Sequence, residues 1–167
     1  VQTSIFTYQG EVDTLISPTD SLRHTLGLLQ AGFIVTDPKK GNIKAWVGGI
    51  SFKNFQYDHV LAQRQVGSVF KPIVYSKALI DGKSPCDFIP NRKTVYTQYD
   101  DWTPKNSNNN YNGKYSIVGA LTNSVNTVSV HLCMKSGIKN VIAYTKELGI
   151  TDSLPEVPSI ALGVSNI

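Results

Sequence analysis

The chain has 167 residues, 41 % of them hydrophobic, which suits a globular domain with a core of its own. No run of about 18 apolar residues occurs, so nothing reads as a membrane-spanning helix, and no cationic, apolar leader opens the chain. Its net charge of +4 comes from 16 basic and 12 acidic residues that are scattered rather than clustered, which points away from nucleic acid and towards a solvated surface.

Residues 1–16 are polar and β-prone without a clear period. Ser17-Pro18-Thr19-Asp20 reads as a turn and helix start, and Ser21 to Leu29 follows as a short helix with Leu22, Leu26 and Leu29 on one face. Gly32 to Thr36 and Ile43 to Val47 read as an antiparallel hairpin around Asp37-Pro38-Lys39-Lys40-Gly41-Asn42, where proline fixes φ and glycine is free to take positive φ. Residues 50–65 form an irregular connection. Gly67 to Ile80 reads as a helix, and Pro72 locates its start: proline is tolerated only in the first turn, so the helix begins very near Ser68.

Residues 81–115 are long and turn-rich, with Pro85, Pro90 and Pro104 and then five asparagines between Asn106 and Gly113. Three short helices follow over Ser116–Thr122, Thr127–Ser136 and Ile138–Leu148. No internal repeat and no linker composition argues for a second domain, so residues 1–167 are expected to belong to one domain.

Cys86 and Cys133 fall in no C-x-x-C pair, and neither has a zinc-type neighbourhood of histidines. One disulfide stays open, and no metal or cofactor is called for. His24, His59 and His131 lie far apart in sequence, where structural or surface roles suit them better than a shared site.

The chemistry concentrates in Arg64-Gln65-Val66-Gly67-Ser68-Val69-Phe70-Lys71-Pro72. A serine hydroxyl is a poor nucleophile until a base lies within hydrogen-bond reach. On a helix, positions i and i+3 share a face, so Ser68 and Lys71 are expected to meet. A helix start at Ser68 adds free N–H groups and a dipole that favour an oxyanion, and burial lowers the pKa of Lys71 towards that of a working base. Ser-x-x-Lys alone is unspecific: Ser136-Gly137-Ile138-Lys139 matches too, but Gly137 sits where a helix ends. A second polar group, Ser124-Val125-Asn126, falls at the junction between two helices. There Ser124 can pass a proton and Asn126 can hold a substrate amide, although both are also good helix caps. Ser107-Asn108-Asn109 has the same pattern inside the asparagine-rich turn region.

In combination these segments resemble the transpeptidase domain of class A (bifunctional) penicillin-binding proteins. The resemblance is carried, in family order, by Asp37-Pro38 to Ala45-Trp46-Val47-Gly48-Gly49, by Arg64 to Pro72, by Trp102-Thr103-Pro104-Lys105-Asn106, by Ala120 to Thr127 and by Ala161-Leu162-Gly163. It implies an α+β fold of the penicillin-binding protein and serine β-lactamase type, truncated before the last strands of its antiparallel sheet. It implies a D-Ala-D-Ala transpeptidase in which Ser68 is acylated by a peptidoglycan stem peptide, Lys71 takes its proton, Ser124 relays a proton to the leaving amine and Asn126 holds the peptide. β-Lactams would acylate the same serine. The resemblance places such a domain outside the inner membrane, tethered by an upstream anchor.

The family's third motif, Lys-Thr/Ser-Gly on a strand, has one match here, Lys135-Ser136-Gly137. It follows Asn126 by only nine residues and reads as an ordinary helix end. Of the five-stranded main sheet that the resemblance implies, the 32–47 hairpin is therefore expected to be the only part present, with an exposed edge prone to oligomerise and the isolated chain inactive. Two other readings stay open: a β-lactam sensor or inactive homologue that keeps the Ser-x-x-Lys, and a carbohydrate-binding surface built on Trp46, Trp102 and eight tyrosines, which core packing explains more simply.

Overall fold

A computed structural model describes residues 1–167, which divide into two compact units, Val1–Ala62 and Gln63–Ile167. No proline-, glycine- or serine-rich linker marks the division in the sequence.

The first unit opens with strands β1 (Gln2–Thr7) and β2 (Gly10–Leu15), an antiparallel hairpin in register from Gln2↔Leu15 to Thr7↔Gly10. Helix α1 (Pro18–Gly27) follows. Ser17 caps it by accepting from the Asp20 N–H, with Pro18 in the first turn, so the helix starts three residues before the expected Ser21. Leu22, Leu26 and Leu29 are all exposed. β3 (Phe33–Thr36) and β4 (Ile43–Val47) form the expected hairpin, with a register shift between Val35 and Thr36. The Asp37 carboxylate accepts from the Lys39 and Lys40 N–H groups and shapes the turn. Each strand of the pair is bonded only to the other, and every residue in them is exposed.

The second unit holds the core. A 3-10 turn, Gly67–Phe70, leads into α2 (Lys71–Ile80), so the α-helix proper opens one turn later than Ser68, with Pro72 in its first turn. Short strands β5 (Phe88–Pro90) and β6 (Lys114–Ser116) pair antiparallel across the turn-rich stretch. Helices α3 (Ile117–Thr122), α4 (Asn126–Ser136) and α5 (Ile138–Glu147) follow, and a 3-10 turn, Pro158–Leu162, closes the unit. α4 is central, packed by α2, α3, α5 and the last 3-10 turn. It buries Val128, Val130, Leu132 and Cys133 in the same cluster as Phe70, Val74 and Tyr75. Thr127 and Ser129 are buried with them, so the helix is enclosed along most of its length although its sequence mixes polar and apolar residues.

The chain's end pairs with the residues before Ser68. Gly67 N–H donates to Gly163 O at 2.9 Å, Val66 N–H to Ser165 O, and Arg64 and Ile167 exchange backbone bonds. Gly163 takes a positive φ of 69°, and a Cβ there would fall on the backbone of Gly67, so only glycine fits.

Beside the 32–47 hairpin two separate strand pairs form, β1–β2 in the β-prone start of the chain and β5–β6 in the turn-rich stretch. β1–β2 shows no apolar period because most of its residues face solvent, and β5–β6 has strands of three residues, too short for a pattern to register. Core packing accounts for Tyr75 and Tyr96 but not for Trp46, Tyr8 or Tyr57, which are exposed; Trp46 instead donates its indole N–H to Asp58. Cys86 and Cys133 are both free, so the disulfide left open does not form. Gly137, with φ 85°, sits between α4 and α5, which fits the reading of Lys135-Ser136-Gly137 as a helix end.

Candidate active site

The structure brings Ser68, Lys71, Ser124 and Asn126 together, all within the second unit. Each arrives by a local device. Gly67, with a positive φ of 55°, starts the tight 3-10 turn that carries Ser68. Lys71 is the first residue of α2 and is 1 % exposed, so its long stem is buried while its ammonium meets polar groups.

Ser124 is delivered by the end of α3. Its own N–H donates to Leu121 O and the Val125 N–H to Ala120 O, the paired bonds of a Schellman motif. The residue at the heart of that motif must take the left-handed conformation, normally glycine's place. Here it is Ser124, at φ 52°. A non-glycine residue held there costs roughly 1–3 kcal/mol, the kind of strain found at functional sites. What the strain secures is orientation: both the carbonyl and the hydroxyl of Ser124 face Lys71.

Lys71 Nζ donates to Ser124 O at 2.7 Å, to Ser124 Oγ at 2.8 Å and to Asn126 Oδ1 at 2.6 Å. Ser124 Oγ donates in turn to Ser68 Oγ at 3.2 Å. The expected i, i+3 meeting of Ser68 and Lys71 is thus replaced by a relay through Ser124. Lys71 aims its three donors at the α3–α4 junction instead. An ammonium has three N–H donors, and these three acceptors occupy them. All three acceptors are neutral oxygens with no carboxylate among them, and burial pushes the pKa of Lys71 down from 10.5 to about 8.

Asn126 is held from both sides. Its Oδ1 accepts from Lys71 and its Nδ2 donates to Lys105 O at 2.7 Å. An ammonium needs an acceptor and a carbonyl needs a donor, so only one amide orientation satisfies both.

Behind this lies a group the sequence reading left without a role. Asn106 and Asn91 were placed in turn-rich chain, yet they are 6 % and 2 % exposed and bond to Thr127 of α4. The signal available was an asparagine two residues after a proline inside the segment Trp102–Asn106. Ser107-Asn108-Asn109 stays in a turn, where Asn108 Oδ1 accepts from the Asn110 N–H.

Comparison with known proteins agrees with the ordered segments. The family model described as penicillin binding protein transpeptidase domain matches residues 31–156. Penicillin-binding protein 1A of Pseudomonas aeruginosa is 37 % identical over 143 residues, covering 83 % of this chain and 17 % of that protein. Penicillin-binding protein 2D of Bacillus subtilis is 34 % identical over 145 residues, covering 83 % of this chain and 21 % of that protein. The chain thus spans about a fifth of the length of the curated relatives it matches. Among solved structures, penicillin-binding protein 1A from Haemophilus influenzae aligns with a TM-score of 0.78 at 24 % identity, over 83 % of this chain and 21 % of that one. PonA1 from Mycobacterium tuberculosis in complex with penicillin V aligns at 0.70 and 21 % identity, over 99 % of this chain and 47 % of that one. At those identities the two structures share the α+β fold.

Proposed function

Because the chain belongs to the penicillin-binding protein transpeptidase domain family, we propose that residues 1–167 form part of one such domain and that Ser68 is the nucleophile of D-Ala-D-Ala acyl transfer in peptidoglycan cross-linking. The family match runs across the division between the two units, which favours a single domain over two.

The observation that carries the reading is the continuous hydrogen-bond chain from Ser68 Oγ through Ser124 Oγ to Lys71 Nζ, an amine whose pKa burial has lowered to about 8. In its neutral form Lys71 accepts rather than donates at one position. The proton of Ser68 then passes to Ser124 Oγ while the Ser124 proton passes to Lys71. Ser68 Oγ bonds to the penultimate D-Ala carbonyl carbon, and the peptide C–N bond breaks. The departing D-Ala amine takes a proton from Ser124, which regains one from Lys71. The acyl-enzyme is resolved when an amine of a second strand attacks the ester carbon: the new C–N bond forms, the acyl C–O bond breaks, and the proton the amine gives up returns to Ser68 Oγ through Ser124 and Lys71. A penicillin enters by the same first step, its lactam C–N bond opening, and stays attached. Asn126, with its amide oriented by Lys71 and Lys105, is placed to hold the stem peptide. The partners are accordingly stem peptides and β-lactams, and the site of action is extracytoplasmic, facing the wall.

The test is intact-mass measurement of the full-length protein after incubation with a labelled penicillin. One adduct of penicillin mass is expected, absent from Ser68→Ala. An adduct that survives Ser68→Ala removes the nucleophile assignment. Stem peptide and acceptor amine supplied without penicillin are expected to give a cross-linked product; a penicillin adduct at Ser68 in a protein that gives no such product indicates a β-lactam sensor.

A further inference from the structure

The first turn of α4 lacks a cap of its own. Its N-cap residue is Val125, whose side chain accepts nothing, so the exposed N–H groups there need an outside acceptor. Asn106 supplies it from another part of the chain: its Oδ1 accepts from the Thr127 N–H at 3.1 Å. The Nδ2 of Asn106 donates to Asn91 Oδ1 and Asn110 O, both at 2.8 Å, and more weakly to Thr127 Oγ1 at 3.3 Å. Asn91 Oδ1 also accepts from Thr127 Oγ1 at 2.7 Å. Asn91, Asn106 and Thr127 are all buried and every polar atom among them is satisfied, so their geometry is over-determined.

Lys105 lies between two buried residues, Pro104 and Asn106, while its own side chain is exposed. Its carbonyl is therefore fixed by its neighbours, and that carbonyl receives the Asn126 Nδ2. Asn126 in turn presents Oδ1 to Lys71. The ammonium by itself demands Oδ1, but a neutral Lys71 amine can also accept from Nδ2, and then the fixed Lys105 carbonyl is what keeps Nδ2 turned away from it.

We propose that Asn106 is a positioning residue for acyl transfer: by capping α4 and fixing the Lys105 carbonyl, it locks the Asn126 carboxamide with its oxygen on Lys71. The proposal rests on the functional reading above. Asn106 touches neither substrate nor the reacting atoms; it acts through Asn126.

The experiment compares Asn106→Ala with Thr127→Val in the full-length protein. Thr127→Val removes the hydroxyl from the buried group yet keeps the N–H that Asn106 accepts, so it reports the cost of disturbing the network without freeing Lys105. The readouts are the second-order rate of Ser68 acylation by a fluorescent penicillin across pH, and the Lys71 titration followed by NMR of its Cε or Nζ. Asn106→Ala is expected to slow acylation on the order of 10- to 100-fold, as loosening of a positioned group does. It is also expected to move the Lys71 midpoint to lower pH, because the charged amine loses an acceptor. Thr127→Val is expected to leave the midpoint in place. An Asn106→Ala profile that superimposes on wild type, or an equal shift in Thr127→Val, overturns the proposal. Should Asn106→Ala fail to fold, the wild-type Asn126 side-chain amide decides: slow exchange and a shift across the Lys71 titration support it, and exchange at the solvent rate overturns it. If wild type shows no adduct at Ser68, the functional reading fails, while the NMR arm still tests the positioning.

Discussion

Leu132, in Gln63–Ile167, is 1 % exposed, whereas Leu26, in Val1–Ala62, is 75 % exposed. The contrast is general: the buried apolar residues run from Phe70 to Ala161, and no residue of the first unit is buried. The difference bears directly on chemistry. Lys53 in the first unit pairs with Glu11 at the surface and keeps most of its side chain in water. Lys71 in the second unit has neutral partners and almost no solvent, which is what lowers its pKa. Burial of this kind is what would make a lysine a base near neutral pH, and the lysine buried in this way lies in the second unit.

Substitutions can break or sharpen this contrast. Lys71→Ala is expected to slow Ser68 acylation by about 10²- to 10⁴-fold, the usual worth of a positioned base, while Lys53→Ala leaves the rate unchanged; adduct formation followed by mass spectrometry checks both. Leu132→Ala is expected to cost about 2–5 kcal/mol in urea unfolding, since it empties space in a packed core. Ser124→Gly separates strain from chemistry. Acylation should be lost with the relay hydroxyl, while stability holds or rises by up to about 1 kcal/mol, because glycine takes the left-handed conformation freely. Smallest of all, Leu26→Ala is expected to change stability by no more than about 0.5 kcal/mol. A Leu26→Ala cost near that of Leu132→Ala would erase the contrast between the units.

Much of this was readable from residue order. Pro72 marked where α2 begins, and Gly137 marked the break between α4 and α5. Short motifs around Ser68 and Ser124 singled out the four candidate residues, and it was the resemblance carried by the ordered segments that gave them roles. What stayed hidden was long-range. The Lys71–Ser124 contact joins residues 53 apart, and it is this long-range partner that puts a relay in place of a direct Ser68–Lys71 pair. Asn106 looked like turn chemistry because its partners, Asn91 and Thr127, lie 15 and 21 residues away. The β1–β2 hairpin was legible only as a β-prone stretch for the opposite reason: it is local, but with little buried face it leaves no period from which to read two strands.

Lys71 also links pH to stability. Its folded pKa, about 8, lies below its ordinary 10.5, so within that window the unfolded chain binds more protons than the folded one. Stability of the second unit should therefore rise with pH through the window, in contrast to a surface lysine, which contributes no such slope. Urea midpoints measured at either end of the window check the direction.

The most direct measurement of the account is the pH dependence of Ser68 acylation by a penicillin in the full-length protein. If neutral Lys71 takes the serine proton through Ser124, the rate climbs close to tenfold per pH unit on the acid side, bends at about 8 and levels above it. A rate that is flat through that region, or that bends only at the ordinary lysine value of 10.5, would contradict the relay.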